Sequence, residues 1–219
     1  MLNLKLVLLN TLRFIHKPLG TIKMNKQKLI EHLNSKPELD IYYDYLLGQE
    51  VWYFQNNGND FSFDYDSFKK FISRNLTIPF NNISIVGSAK TRYSFSPSKN
   101  LSEFHNESDF DLIIVSNKLF KTIWDAFKKI SSGQYLHNYG QKCGNVFNGF
   151  VSLKDDDPTY GNEALENWQR SVLDFKAELQ LTFNIQHKIN YRIYSDWESV
   201  EGYHLKGITK LKKTVNETN

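Results

Sequence analysis

Several stretches of the chain have hydrophobic residues every three or four positions, the spacing of an amphipathic helix. One of them covers residues 26–55, where Pro37 is expected to separate two helices. Another follows Asp64 or Asp66, either of which could serve as its N-cap. Further helices are predicted at 118–131, at roughly 162–183, and after Ser195.

Short apolar runs predict four strands that alternate with these helices. The polar segment 92–107, which contains Pro97, predicts a long loop between the first two strands. Because strands and helices are interleaved, the sequence predicts an α/β or α+β fold with a small mixed sheet flanked by helices. The four predicted strands are Ile83–Val86, Phe110–Val115, a segment around Val146–Leu153, and Ile189–Tyr194.

The ends of two elements carry their own signals. Gln55–Asp60 is rich in Asn and Gly and predicts a turn. Ser195 and Glu198 have the spacing of a capping box, which predicts the start of the last helix. The tail from about Lys212 is expected to fray.

A chain of 219 residues is long enough for one domain with a small helical companion. We expect a helical segment at 1–60 and the main domain at 61–219, or one compact unit. The apolar run at the start is broken by Lys5 and Asn10, which favours a short amphipathic helix over a signal peptide. Met24 is an alternative start.

Composition narrows the class of protein without naming an activity. The formal net charge of +3 is too small to indicate a nucleic-acid binder, unless basic residues cluster on one face. The single cysteine, Cys143, excludes an intrachain disulfide and favours a reducing compartment. No stretch is apolar enough to cross a bilayer, so the sequence predicts a soluble cytoplasmic protein with no membrane partner.

Asp109 and Asp111 are the strongest candidates for chemistry. Residues two apart in a strand point to the same side, so these carboxylates are expected to stand together while Phe110 enters the core. Adjacent carboxylates repel each other unless a cation lies between them. Mg²⁺ is the usual cation, because it takes oxygen ligands and completes its shell with water and substrate phosphates.

Gly87 and Ser88 follow the first predicted strand. Glycine lacks a Cβ, so a phosphate can approach the backbone closely there. The Ser88 hydroxyl and neighbouring N–H groups can then bind phosphate oxygens. A phosphate cradle beside a metal-binding carboxylate pair predicts a site for a nucleoside triphosphate with its Mg²⁺.

The motifs Ile85-Val86-Gly87-Ser88 and Asp109-Phe110-Asp111-Leu112 resemble those of the DNA polymerase β-like nucleotidyltransferase superfamily. More narrowly, the run GSAKTRYSFSPSKNLSEFHNESDFDLIIV is similar to small bacterial nucleotidyltransferases of toxin–antitoxin and phage-defence systems. The resemblance implies the nucleotidyltransferase fold and transfer of a nucleoside monophosphate from NTP with Mg²⁺ or Mn²⁺. It implies a hydroxyl acceptor on RNA or tRNA, a protein or another nucleotide, and regulation by a protein partner.

The chain departs from this superfamily in two respects. The loop between Ser88 and Asp109 is longer than usual, and the third carboxylate that the family places on a neighbouring strand has no obvious counterpart. The strand Ile189–Tyr194 offers Arg192 in its place. Asp155 is the best candidate for the third metal ligand, although a run of three Asp before a Pro is also typical of a solvated turn.

Other charged residues have two interpretations each. Lys90 is a candidate phosphate ligand and Arg92 could meet the γ-phosphate or an acceptor, but solvated loop charges are an alternative. His105 is more typical of a surface histidine than of a catalytic base. A catalytically degenerate protein that binds nucleotide or a protein partner therefore stays open beside the enzyme, as does a nucleic-acid-binding module.

Overall fold

The computed structural model describes residues 25–48, 50–57 and 61–218. The helix predicted at the start of the chain lies outside these residues. Within these residues, helices flank one small sheet. A π-helical turn lies at Tyr42–Leu47, and 3₁₀ turns lie at Phe80–Asn82 and Pro97–Lys99. The helices are α1 Lys26–Ser35, α2 Glu38–Ile41, α3 Trp52–Asn57, α4 Phe61–Leu76, α5 Ser88–Thr91, α6 Asn117–Ser131, α7 Tyr139–Phe147, α8 Glu163–Thr182 and α9 Trp197–Thr218.

Four strands form a mixed sheet in the order β1-β2-β4-β3. β2 runs antiparallel to β1 and parallel to β4, and β3 runs antiparallel to β4. The strands are β1 Ile83–Val86, β2 Phe110–Val115, β3 Phe150–Val151 and β4 Ile189–Tyr194. The predicted mixed α/β class is therefore confirmed, and so are the bounds of β1, β2 and β4.

The two faces of β2 have different environments because side chains alternate along a strand. Phe110, Leu112 and Ile114 lie in the main core between α4, α6 and α8. Ile113 and Val115 lie on the opposite face, in a smaller cluster with side chains from β4 and α9. Leu112 to Val115 are all buried, so the prediction that β2 is covered on both faces is confirmed.

The N-terminal helices pack on the end of the chain. Leu29 and Leu33 of α1 share a buried cluster with Ile208 and Leu211 of α9, and Leu101 of the long loop joins them. The prediction of two helices in 26–55 is only partly right, because the chain breaks after the π-helical turn and restarts at α3. In the predicted Gln55–Asp60 turn, residues 55–57 are helical and 58–60 lie outside the described residues.

The strand predicted around Val146–Leu153 is mostly wrong. Val146 lies in α7, and the strand itself is only two residues long. Gly140 and Gly144 disfavour a helix when the sequence is considered alone, but packing decides short elements. Gly149 then turns the chain with a φ of +77°, where an added Cβ would lie 2.4 Å from Ser199.

Three predicted helix ends are also corrected. α4 begins at Phe61, so Asp64 and Asp66 lie inside the helix and neither is its N-cap. The capping side chain of α9 is Asp196 instead of Ser195, since its Oδ1 accepts the Ser199 N–H at 2.7 Å. α9 also continues to Thr218, well past the predicted fraying point.

Within the described ranges, no helix combines the length and the apolar character that a membrane crossing requires.

Candidate functional site

The turn after β1 lies directly against Asp111. Val86, the last residue of β1, pairs with Asp111 of β2 in the antiparallel register. Gly87 follows with a φ of +74°, a backbone conformation that favours glycine. A Cβ at this position would lie only 2.9 Å from Asp111 Oδ2. Both the conformation and the close approach of the carboxylate therefore require glycine here.

The turn is closed by its own backbone. The N–H groups of Lys90 and Thr91 both donate to the Gly87 carbonyl, at 3.1 and 3.2 Å. The Thr91 hydroxyl bonds the Tyr93 carbonyl at 2.6 Å and ties the far end of the turn. Ser88 is the first residue of α5 and is half-buried, so the predicted pair Gly87-Ser88 begins a tight, locally determined turn beside Asp111.

Asp109 is exposed and immediately precedes β2. The chain on both sides of Asp109 is fixed by contacts with Lys188 and His187. The N–H of Phe110 donates to the Lys188 carbonyl at 2.8 Å, and His187 Nδ1 lies 2.9 Å from the Ser108 carbonyl. The imidazole of His187 also packs on Phe104, with ring centroids 4.5 Å apart. The two predicted carboxylates thus lie at the start of the same strand, with the segment before them anchored to the start of β4.

Arg192 of β4 is the cation next to Asp111. The parallel register places Asn190 opposite Asp111, and Arg192 Nη2 lies 3.4 Å from Asp111 Oδ1. Burial acts to lower the pKa of Arg192, but the Asp111 carboxylate and neighbouring tyrosine hydroxyls outweigh it and raise the pKa above its ordinary value. Arg192 is therefore a permanent positive charge beside one oxygen of the carboxylate, while the other oxygen lies over Gly87.

The structure does not bring Asp155 to this site. Its carboxylate forms an ion pair with Lys176 of α8. It also contributes, after burial, to the raised pKa of Tyr191, whose side chain lies in the main core. Tyr191 and Asn190 point to opposite faces of β4, so Asp155 lies on the other face from Asp111. The best sequence candidate for a third metal ligand is therefore an ion-paired residue elsewhere.

Lys90 does not lie in an open loop, where a phosphate could reach its side chain. Its side chain is buried and Nζ donates to the Gly48 carbonyl. Burial, with a smaller contribution from the positive charge of Lys69, lowers the pKa of Lys90 to about 8. Lys90 therefore joins α5 to the end of the π-helical turn.

The other two residues weighed in the long loop have local partners. Arg92 forms an ion pair with Glu103, in which Arg92 Nη2 lies 2.6 Å from Glu103 Oε1. His105 is exposed, and its Nδ1 accepts the Glu107 N–H at 3.2 Å. Both residues stabilise the loop that leads to Asp109.

A polar cavity of about 270 Å³ opens on the Arg192 side of Asp111. Besides Arg192, the cations Lys142 and Lys154 line the cavity. Asp157 lines it too, and its Oδ2 lies 3.3 Å from Lys142 Nζ. We call it the amide cavity because four amide side chains line it. Its lining residues are Asp111, Asn138, Gln141, Lys142, Asn145, Phe150, Ser152, Lys154, Asp157, Asn190, Arg192 and Tyr203.

Sequence reasoning did not find most of this cavity. Two of its amides lie in α7, the helix that the sequence did not predict, and a third, Asn138, is the N-cap of that helix. Asn190 had a usable signal, because it is two residues before Arg192 in a predicted strand and must share its face. That Asn190 and Arg192 lie beside Asp111 follows from the pairing of β2 with β4. No local feature of the sequence predicts this pairing.

The side chains of the site could bind Mg²⁺ or Mn²⁺ only together with other ligands. Within the described residues, no group of three or more His, Cys, Asp or Glu side chains is close enough to hold a metal ion by itself. Asp109 and Asp111 supply two carboxylates, and Mg²⁺ is often bound by one or two carboxylates together with substrate phosphates. The residues therefore fit a metal ion that arrives with a triphosphate.

Comparisons of this chain with models of protein families, with curated proteins and with solved structures give no significant match.

Proposed function

We propose that this protein is a nucleotidyltransferase that transfers a nucleoside monophosphate from a metal-bound NTP to a hydroxyl acceptor. Asp109 and Asp111 hold the metal ion, and the Gly87-Ser88 turn holds the β- and γ-phosphates. The observation that carries the proposal is the 2.9 Å separation between Asp111 Oδ2 and the position of a Cβ on Gly87. It supports a phosphate-binding turn and a metal-binding carboxylate that act on the same substrate.

The reaction breaks one bond and forms one. The acceptor hydroxyl oxygen bonds to the α-phosphorus, the bond from the α-phosphorus to the bridging oxygen of the β-phosphate breaks, and pyrophosphate leaves. The hydroxyl proton passes to solvent water. Mg²⁺ would supply charge neutralisation on the triphosphate and on the leaving pyrophosphate. The chain's own residues hold the phosphates at the turn and orient Asp111 through Arg192.

The first experiment separates binding from turnover. Each of the four NTPs, labelled at the α-phosphate, is incubated with the protein and Mg²⁺ or Mn²⁺, and pyrophosphate and labelled product are measured. Metal-dependent NTP binding is measured in parallel by calorimetry. Asp111→Asn and Asp109→Asn keep the side-chain shape and remove a charge, so we expect each to weaken this binding by about tenfold or more. Asp156→Asn, an exposed acid with a 4.0 Å contact to Lys188, is the matched control.

The results have distinct meanings. Pyrophosphate release that both Asn variants abolish and the control retains supports the proposal. Unchanged binding in Asp111→Asn would overturn the metal site itself. A protein that binds NTP but yields no product with RNA, protein or nucleotide acceptors is not an enzyme of this class.

A second candidate function is nucleotide binding without turnover. It is favoured by one observation, the contact between Arg192 and Asp111 on the strand where a third carboxylate was expected. A cation there neutralises the metal ligand and supplies no base. Asp109-dependent NTP binding without pyrophosphate release would select this alternative.

A further inference from the structure

The amide cavity contains more positive than negative charge. Lys142, Lys154 and Arg192 face two carboxylates, Asp111 and Asp157. Asp157 is already engaged, since its Oδ2 contacts Lys142 Nζ at 3.3 Å and the Lys154 N–H at 3.2 Å. The exposed side chain of Lys154 forms no ion pair with any described residue. An anionic ligand can therefore enter the cavity and meet a cation that the fold does not use.

The amides of the cavity are also available. Asn138, Gln141, Asn145 and Asn190 form no side-chain hydrogen bond with another described residue. Each amide offers an acceptor oxygen and two donor hydrogens, the combination that pairs with the edge of a nucleobase. Four such groups around one small cavity are suited to a ligand with several donors and acceptors.

We propose that the amide cavity binds the acceptor of the reaction, and that this acceptor is a nucleotide carrying its own phosphate. Lys154 and Arg192 bind the phosphate, and the amides of α7 and β4 bind the base or sugar. This inference rests on the proposed function for the role of acceptor, but the binding itself does not depend on it. Of the three acceptor classes that the sequence left open, it excludes a protein hydroxyl and retains a free nucleotide and the 3′-terminal nucleotide of an RNA.

Size and position support this choice over a protein hydroxyl. The cavity volume of about 270 Å³ is near the lower limit for small-molecule sites, and a folded protein segment does not fit such a space. Asp111 lines the cavity and also contacts the Gly87 turn, so a ligand there lies beside the proposed triphosphate. The same nucleotide chemistry is presented by a free nucleoside monophosphate and by the 3′-terminal nucleotide of an RNA.

The test measures binding without NTP and without metal. The probes are AMP, GMP, CMP and UMP, the matching uncharged nucleosides, and a short RNA with a free 3′ hydroxyl. Lys154→Gln removes the cation of the cavity that forms no ion pair with a described residue. Lys188→Gln removes an exposed cation that does not line it and so controls for net charge. We expect Lys154→Gln to weaken monophosphate binding about fivefold to tenfold and to leave nucleoside binding unchanged, while Lys188→Gln changes neither.

Asn145→Leu provides a second readout that does not depend on charge. It is expected to weaken binding of the monophosphates and of the nucleosides together, and circular dichroism confirms that the variant is folded. Tighter binding of the RNA than of the monophosphates identifies a 3′ end as the source, and the reverse identifies a free nucleotide.

Two results of the binding test would overturn the inference. One is equal binding by Lys154→Gln and Lys188→Gln, and the other is no binding of any nucleotide or RNA. If label is transferred to protein hydroxyls at a rate that Lys154→Gln does not change, the inference fails and the proposed enzyme stands. If the monophosphate binds as expected but no pyrophosphate is released with any acceptor, the enzyme fails and the nucleotide site stands.

Discussion

Asp111 lies between two regions that are built in different ways. On one side, the turn from Gly87 to Tyr93 is held by hydrogen bonds among its own residues and approaches the carboxylate through backbone. On the other side, the amide cavity is assembled from α7, β3, β4 and α9, and its four amide side chains form no hydrogen bond with another described residue. A region whose backbone is fixed by its own hydrogen bonds keeps a constant shape, which suits a substrate group of constant shape such as a phosphate. A region with free polar groups is suited to select a ligand.

The largest effect is expected from a methyl group on the turn. Gly87→Ala meets both a positive φ and a 2.9 Å contact with Asp111 Oδ2, whereas Gly161→Ala meets a φ of +67° in open space. The positive φ costs about 1–3 kcal/mol in each variant. The cost is at the upper end for Gly87→Ala, because the ψ of −162° at Gly87 lies in a region that is essentially restricted to glycine. Displacement of Asp111 adds about 1–3 kcal/mol in Gly87→Ala alone. Urea unfolding measures both, and metal-dependent NTP binding should be lost only in Gly87→Ala. Equal effects in the two variants would mean that the close approach has no role.

A second prediction concerns the buried lysine on the turn side. The lowered pKa of Lys90, about 8, means that between pH 8 and about 10 the unfolded chain binds a proton that the folded chain does not. The free energy of unfolding should therefore rise with pH in this window, by about 2–3 kcal/mol. Lys90→Met should remove this rise, and Lys70→Met, at an exposed position, should retain it. The same slope in both variants would contradict the burial of a charged Lys90.

The smallest effect is expected on the far face of β4. Asp155→Asn removes an ion pair with Lys176, in which the two side chains retain 24% and 31% of their exposure, so we expect a loss of at most about 1 kcal/mol in stability. Metal-dependent NTP binding should not change, because this carboxylate lies on the opposite face from Asp111. A loss as large as that of Asp111→Asn would restore Asp155 as the third ligand and would show that the two faces are not independent.

The difference between the two regions also explains what the sequence could predict. β1, β2 and the order of Gly87-Ser88 before Asp109 and Asp111 follow from local signals, namely short apolar runs and two motifs. The side of Asp111 that faces β4 depends on a parallel pairing between segments far apart in the chain. No periodicity states which strands pair, so Arg192 could be identified as unusual but not as the partner of Asp111.

What the sequence did not predict has the same origin. Gly140 and Gly144 made α7 look unlike a helix, and that helix carries two of the four amides of the cavity, with a third, Asn138, at its N-cap. Lys90 and Asp155 were selected from their neighbours in sequence, but burial against Gly48 and pairing with Lys176 are tertiary contacts. The order of residues in a motif could therefore be read from the sequence, and the contacts that these residues make in the folded chain could not.

The parallel pairing of β2 with β4 also has a consequence for how the chain is made. During synthesis, β2 leaves the ribosome long before β4, and until then the edge of β2 that will pair with β4 presents unsatisfied N–H and C=O groups. Such an apolar, unpaired edge is prone to associate with other chains. Asp111 adds a negative charge near the start of this strand, and a charged side chain on an unpaired strand is one of the features that disfavour such association.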